Sequence, residues 1–306
     1  MNKLHLDKKL NGRFMPRASR SFIGLVILAG VLCLITSIWA LPSVKMQTGQ
    51  SIQGNSQHGT ISNKESKKGD DHSPRREERD DDACSSRGPA VRLPAAKLII
   101  EHNSTAEDTG VHGFFDGIDW TKLCVYDPRG RLVLEVEPNR QLRTQSISGI
   151  FFESAEPPNE QVPIEEILRR FPEGQYSVRG RAKDGRRLTG AATFTHDIPA
   201  APVIAFPQEG GVVSPNGFTV MWNHVTTTLD GRPLNRTGYE IILTKDVPDD
   251  PNGFSRPALS IHVPPSETSL TIPSEFLEPG SRYEIEVIVL EVSGNQTITS
   301  LFFETQ

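Results

Sequence analysis

Histidines and carboxylates cluster in one stretch of the chain, and these residue types can bind metal ions or carry out acid–base catalysis. His102 and His112 flank Asp108, and Asp116 and Asp119 follow. A calcium loop places its oxygen ligands at alternate positions around a glycine turn, and the spacing in this stretch does not reproduce that pattern. We therefore predict no metal site and interpret these side chains as polar residues of solvent-facing turns.

Two further pairs have residue types that could do chemistry. His196 and Asp197 lie just before Pro199, where we predict a structural hydrogen bond at a domain junction. Glu165 and Glu166 are neighbours on a predicted helix, so their side chains point about 100° apart and cannot flank one scissile bond. The sequence also lacks the motifs of serine hydrolases, P-loop proteins and zinc proteases. We predict no catalytic, cofactor-binding or metal-binding residues.

Charge and cysteine content narrow the class of protein. The 306 residues carry a net charge of −5, and no basic domain suggests nucleic-acid binding. The three cysteines, Cys33, Cys84 and Cys124, lie in three different regions, so we predict no disulfide framework. Cys124 falls within a strand pattern and is interpreted as a small buried hydrophobe. On this interpretation the hydrophobic core alone holds the folded part together.

The N-terminal region has the pattern of a membrane anchor. Residues 22–41 carry no charge, and twenty residues at a rise of about 1.5 Å span about 30 Å, the thickness of a bilayer core. Residues 1–21 contain six lysines and arginines against one aspartate, which predicts a basic cytoplasmic tail. An uncleaved signal-anchor and a cleavable signal peptide both remain open. The first predicts a single-pass membrane protein and the second a secreted one, with the later domains outside the cytoplasm in either case.

Residues 42–94 form a polar segment without aromatic side chains. Such a composition buries too little apolar surface to offset the chain entropy of folding, so we predict a disordered linker. A flexible coil of about fifty residues has an end-to-end distance of roughly 40 Å. The expected role of this linker is to hold the folded part away from the membrane.

Residues 95–198 are predicted to form an immunoglobulin-like β-sandwich of about seven strands. Residues 97–101 and 132–136 are typical strand patterns, and turn residues such as those at 127–130 separate them. One short helix interrupts the strands. Its apolar side chains have helical spacing and should cap the end of the sandwich; they are Ile164, Ile167, Leu168 and Phe171.

Residues 199–306 contain the most specific pattern in the chain. Trp222 ends an alternating strand, and the run Leu-Glu-Pro-Gly-Ser-Arg-Tyr extends from Leu277 to Tyr283. This combination resembles the fibronectin type III domain. The resemblance implies a β-sandwich in which Trp222 anchors the core and Tyr283 forms a tyrosine corner by bonding back to upstream backbone. No binding residue can be carried over, because the tripeptide Arg-Gly-Asp is absent.

The predicted architecture is thus mostly β, with tandem sandwiches after an N-terminal transmembrane helix and a disordered linker. It indicates a membrane-tethered, outward-facing, non-catalytic protein with a binding or structural role. The expected partner is a protein or glycan outside the cytoplasm, and no nucleic acid. The proline-bearing junction at residues 196–202 should hold the two sandwiches in a semi-rigid orientation.

Two other functions remain open. An envelope-associated hydrolase would need a site in the first β domain or at the domain interface, where Asp116, Asp119 or His196 converge. A purely mechanical spacer would lack an exposed apolar patch. The residues that decide between spacer and binding protein are the aromatic side chains of the first domain: Phe114, Phe115, Trp120, Phe151 and Phe152.

Overall fold

A computed structural model describes residue 84, residues 88–247 and residues 257–306. The predicted tail at 1–21, the predicted membrane segment at 22–41 and most of the predicted linker lie outside the described residues. Among the helices of the described part, none is long and apolar enough to span a bilayer.

The described residues fold mainly into β-strands, as predicted, and they form two units. The first unit contains β1 (Ala90–Arg92), β2 (Ala95–Asn103), β3 (Asp108–Tyr126), β4 (Leu132–Val136), α1 (Arg140–Gln145), β5 (Ile147–Glu153), α2 (Ile164–Arg170), β6 (Gly174–Ala182) and β7 (Arg187–Phe194). The second unit contains β8 (Ile204–Phe206), β9 (Gly211–Val213), β10 (Phe218–Trp222), β11 (Arg236–Lys245), β12 (Pro257–Val263), β13 (Ser269–Ile272), β14 (Arg282–Glu291) and β15 (Gln296–Thr305).

One long bent strand, β3, builds both layers of the first unit. Its first half pairs with β2 and β5, and its second half pairs with β4 and β6. The sequence pattern predicts two separate strands at 111–115 and 123–126, divided by a turn at Asp116-Gly117. That division is wrong: the pairing shifts register between Asp116 and Trp120, so the strand bends and changes layer without reversing.

The core of the first unit lies between these two layers. Phe115, Trp120 and Leu123 of β3 are fully buried there and pack with Tyr176 of β6. The helix α2 lies against this core through Ile167. Its glutamates occupy the first turn and its arginines the last turn, which complements the helix dipole.

The second unit is a two-layer sandwich. Strands β13, β10 and β8 form one sheet, and β12, β11, β14 and β15 supply the opposite layer. The buried side chains of β10 alternate with exposed ones, so Trp222 points inward. Its ring contacts that of Tyr239 edge-on, with centroids 5.4 Å apart.

Tyr283 at the start of β14 makes the contact of a tyrosine corner. Its buried hydroxyl accepts a hydrogen bond from the backbone N–H of Glu278 at 2.7 Å. Its ring stacks on Phe303 with centroids 5.7 Å apart, and Leu277 is buried beside this core. The run from 277 to 283 is therefore tied to the end of the sandwich.

Replacing Tyr283 with phenylalanine should lower the free energy of unfolding by about 1–2 kcal/mol, because the Glu278 N–H loses its acceptor while the ring stays packed. Urea denaturation followed by circular dichroism measures this change. Tyr126→Phe is the matched control, since that buried tyrosine has no hydroxyl hydrogen bond among the described residues. Equal losses in the two variants would contradict this role for the Tyr283 hydroxyl.

A disulfide bond joins Cys84 to Cys124 of β3, with their Cα atoms 6.2 Å apart. Both side chains are buried and pack with Tyr126. The prediction that the cysteines form no disulfide is therefore wrong, and Cys124 is not an isolated buried thiol. Spacing could not reveal this pair, because Cys84 lies within the polar stretch at 42–94.

The folded part also begins earlier than the predicted boundary at residue 95. Strand β1 lies within the stretch predicted as linker and pairs in parallel with β7. Three residues with one half-buried side chain are too few to show a strand pattern by themselves. Backbone pairing with β7 supplies the hydrogen bonds that order this segment.

A continuous sheet joins the two units. Strand β15 pairs in parallel with β2 over residues 296–298 and 101–103, giving the order β1-β7-β6-β3-β2-β15-β14-β11-β12. The backbone N–H of Ser104 extends this pairing, donating to the carbonyl of Ile298 at 2.9 Å. The two units are thus joined by strand pairing as well as by the proline-bearing segment predicted to orient them.

Candidate functional site

A groove lies where the two units meet, and we call it the junction groove. Its cavity measures about 560 Å³. The first unit contributes Lys97, Ile99, His112, Gly113, Phe114 and Phe151, and the second contributes Thr237, Glu240, His262, Leu290 to Gly294 and Gln296. Both units therefore build this groove, and neither would form it alone.

Asn295 braces the junction beside the groove. Its side chain is 1% exposed. Its Oδ1 accepts a hydrogen bond from the backbone N–H of Ile100 at 2.8 Å, and its Nδ2 donates to the carbonyl and hydroxyl of Thr195 at 3.0 Å. One side chain from the turn between β14 and β15 thus binds the backbone of β2 and the end of the first unit.

The neighbouring Gly294 permits this close approach. Its φ of +102° lies in the region that disfavours other residues. A Cβ at this position would lie 2.8 Å from Cγ2 of Ile99 in β2. The turn can therefore pack against the first unit only because residue 294 has no side chain.

Replacing Asn295 with alanine should lower the free energy of unfolding by about 1–3 kcal/mol, because the buried Ile100 N–H loses its acceptor. We expect the amide of Ile100 to exchange with solvent faster than in the wild type, which hydrogen-exchange mass spectrometry can detect. Asn235→Ala, at an exposed asparagine of the same unit, is the control. Unchanged hydrogen exchange of the backbone amides of residues 98–103 would contradict this role of Asn295.

Three side chains of the first unit gather beside the groove, and we call them the acid–histidine cluster: Glu101 of β2, His112 of β3 and Glu156. One ligand atom from each lies within 4.8 Å of the other two. Nε2 of His112 is 3.0 Å from Glu156 Oε1, and its Nδ1 is 3.7 Å from Glu101 Oε2. Gln296 of the second unit donates a hydrogen bond to Glu101.

Burial perturbs the protonation of this cluster. It raises the pKa of Glu101 to about 7, although the adjacent His112 opposes the shift. Burial would lower the pKa of His112, but the hydrogen bond to Glu156 and the nearby carboxylates give a net rise. Asp108 lies near the same carboxylates, and burial together with Glu156 and Glu153 raises its pKa to about 6.

Further carboxylates lie on the second unit's side of the junction. Glu240 is buried on β11, accepts a hydrogen bond from Ser260 at 2.7 Å and lies 3.3 Å from Nε2 of His262. The hydrogen bond between His262 and Glu240 raises the pKa of His262. Glu286 of β14 is 6% exposed, and burial raises its pKa, with Glu284, Glu101 and Glu240 adding to the effect.

Glu286→Gln should stabilise the protein at pH 8, by on the order of 1–2 kcal/mol. A carboxyl whose pKa rises on folding keeps its proton in the folded state after the unfolded chain has lost it. The wild type therefore loses stability as pH rises above the unfolded pKa of about 4.5. The variant's advantage should shrink as pH falls towards that value.

Thermal denaturation from pH 4.5 to pH 8 tests this prediction. Glu304→Gln is the control, because Glu304 is an exposed carboxylate on β15. A Glu286→Gln variant that is less stable than the wild type at pH 8 would contradict the assignment.

The structure separates the residues that a hydrolase would need. Asp119 is exposed at the bend of β3. Asp116 lies on the same strand, opposite Gly149 of β5. His196 donates from Nε2 to the carbonyl of Phe171 at 2.8 Å. No contact among the described residues brings these three side chains together.

The remaining candidates of the sequence have structural partners. Asp197 pairs with Arg232 of the second unit, whereas the ring of His196 bonds to the carbonyl of Phe171. His102 is buried, and its Nδ1 contacts the Thr109 hydroxyl at 3.0 Å, so it is no solvent-facing turn residue.

The aromatic side chains divide between core and groove. Phe115 and Trp120 are buried in the core of the first unit, and Phe152 packs against it. Phe114 and Phe151 instead line the junction groove. The sequence alone does not reveal the acid–histidine cluster, because its members come from β2, β3 and the segment after β5. The one signal in the sequence is His112, which the alternation along β3 places on the face opposite to Val111 and Gly113.

Comparison with known proteins gives a likeness of fold. No family model matches the sequence, and no curated protein matches it. Among solved structures, the chicken CNTN1 FN1-FN3 domains are 15% identical with a TM-score of 0.29, over 72% of this chain and 69% of that chain. The third fibronectin III domain of the human KIAA0343 protein is 22% identical with a TM-score of 0.26, over 36% of this chain and 85% of that chain.

These structural neighbours are fibronectin type III domains, the family that the pattern around Trp222 and Tyr283 resembles. In this chain the sandwich is defined by its strand pairing and by the contacts of these two residues.

Proposed function

We propose that this chain is a membrane-tethered, outward-facing binding protein that uses the junction groove to hold a protein partner. The observation that carries the proposal is the composition of the groove. Aromatic side chains of the first unit, Phe114 and Phe151, lie in one cavity with the polar Glu240 and Gln296 of the second unit. Apolar walls with a few placed polar groups are the usual make-up of a binding site.

The disulfide supports an oxidising location. Disulfides such as Cys84–Cys124 persist mainly in extracytoplasmic proteins. The uncharged segment at 22–41 follows a run of basic residues. Such an arrangement would keep the basic residues in the cytoplasm and place Cys84 and Cys124 outside it. Both observations support presentation of the two units at the outer side of a membrane.

The charges around the groove favour a partner segment with a basic residue. Glu240 and Glu291 both line the groove. A partner could insert an apolar side chain beside Phe151 and a lysine or arginine towards Glu240. It would then match both the aromatic wall and the carboxylate of the groove. Such complementarity gives specificity as well as attraction.

Site-specific photo-crosslinking in cells that produce the full chain tests this proposal. A benzophenone amino acid replaces Phe151 in the groove or, as the matched control, Leu132 on β4, which is 43% exposed and lies outside the groove. We expect position 151 to capture a discrete protein that position 132 does not, and Glu240→Arg to weaken the capture at least tenfold. Identical crosslinked products from both positions, or no product from position 151, would contradict the binding of a partner in the groove.

Protease added to intact cells tests the orientation separately. A tag at the C-terminus should be cleaved from the outside, because the proposal places both units there. Protection of the tag in intact cells and its loss only after lysis would contradict the outward orientation.

A further inference from the structure

The acid–histidine cluster has the chemistry of a metal site, and its function does not depend on a partner in the junction groove. Glu101 and Glu156 offer carboxylate oxygens, and His112 offers a ring nitrogen. Glu153 lies close enough to influence the cluster electrostatically. Among the described residues, no lysine or arginine forms an ion pair with Glu101, Glu153 or Glu156. A buried group of carboxylates normally requires a cation or bound protons.

The second observation is an unused ligand atom. The side chain of His112 is 2% exposed, and its Nδ1 has no hydrogen-bond partner. This nitrogen lies 3.7 Å from Glu101 Oε2, which is too far for a hydrogen bond. Two ligands of one tetrahedral zinc ion lie roughly 3.3 Å apart, because each is about 2.0–2.1 Å from the metal. A small shift of the two side chains would therefore admit an ion between them.

Neighbouring residues hold the ligands in place. Gln296 donates a hydrogen bond to Glu101 from the second unit, the kind of outer contact that orients metal ligands. Gly110 of β3 leaves room for Glu156, since a Cβ there would collide with the Glu156 carboxylate. His112 also lines the junction groove, which gives water and a metal ion a path to the cluster.

From this geometry we propose that Nδ1 of His112 and the carboxylate of Glu101 bind one divalent transition-metal ion, with Zn²⁺ the best match, while Glu156 orients the ring through its contact with Nε2. Zinc accepts imidazole nitrogen and carboxylate oxygen together. Calcium and magnesium favour sites built wholly of oxygen ligands. Since Gln296 contacts Glu101, the ion would lie where the two units join.

Isothermal titration of the purified, metal-free full chain with zinc chloride tests the proposal. We expect one zinc equivalent at the cluster, and we expect Glu156→Gln and His112→Gln each to weaken that binding at least about tenfold. His262→Gln is the matched control, because His262 also pairs with a glutamate but lies outside the cluster. The zinc affinity of this variant should equal that of the wild type. Calcium chloride should give no binding at the same concentrations.

A measurement on the wild type keeps the proposal testable if a variant fails to fold. In imidazole ¹H–¹⁵N spectra recorded during zinc titration, the His112 ring should shift at the first equivalent. Absence of zinc binding by the wild type, retention of full affinity in folded Glu156→Gln, or a first equivalent that shifts other histidines only would each overturn the proposal.

Discussion

Replacing Trp222 with alanine should lower the free energy of unfolding by about 3–5 kcal/mol. The indole is 2% exposed and lies in the middle of the core of the second unit. Alanine would leave a cavity between the two layers and remove the edge-on contact with Tyr239. Because native domains are stable by only about 5–15 kcal/mol, this loss should leave the second unit marginally folded.

Urea denaturation followed by far-ultraviolet circular dichroism measures this loss of stability. It does not depend on tryptophan fluorescence, which the substitution of Trp222 would change. Met221→Ala is the matched control, since Met221 is the adjacent residue of β10 and is 44% exposed. We expect that control to change stability by less than about 1 kcal/mol. Similar losses in the two variants would show that Trp222 does not anchor the core.

Removing the disulfide should have an effect of comparable size. Cys84 and Cys124 are separated by 40 residues, and closing a loop of that length stabilises the folded state by about 4 kcal/mol in the chain-entropy model. The bond ties the segment before β1 to the C-terminal end of β3. Cys84→Ser should therefore destabilise the first unit and loosen β1.

A reducing agent supplies the matched experiment. It should lower the melting temperature of the wild type towards that of Cys84→Ser and leave the variant unchanged. A wild type whose melting is insensitive to the reducing agent, or free thiol detected at Cys124 in the protein purified without reductant, would contradict the disulfide.

Local sequence patterns predicted most of the strands. Alternation around Trp222 gave β10 at its observed limits, and residues 132–136 gave β4. The helix at 164–170 followed from its apolar stripe and its charged ends. These elements are predictable because each buries one face, and the apolar residues of that face recur at a regular spacing along the sequence.

The features that matter most for the site depend on distant contacts. β1 is ordered by pairing with β7, and the disulfide joins two regions of unlike composition. The junction forms because β15 pairs with β2 and Asn295 reaches Ile100, 195 residues away in the sequence. No periodicity reports such pairings, so the prediction of solvent-facing polar turns was wrong for the buried His112.

The continuous sheet gives the proposed groove a fixed shape. A binding site on two independently moving modules would have to be ordered each time a partner binds, at a cost in affinity. Here β2 and β15 pair directly, and the turn at Gly294 packs against Ile99. The proposed groove therefore depends on one central claim, which is that the two units keep a fixed relative orientation.

Residual dipolar couplings of backbone amides in the aligned full chain test that claim most directly. If the two units form one rigid body, couplings from residues 90–194 and from residues 204–305 should fit a single alignment tensor with the orientation described here. Two tensors of different magnitude would mean that the units move independently, and would contradict a groove preformed by the shared sheet.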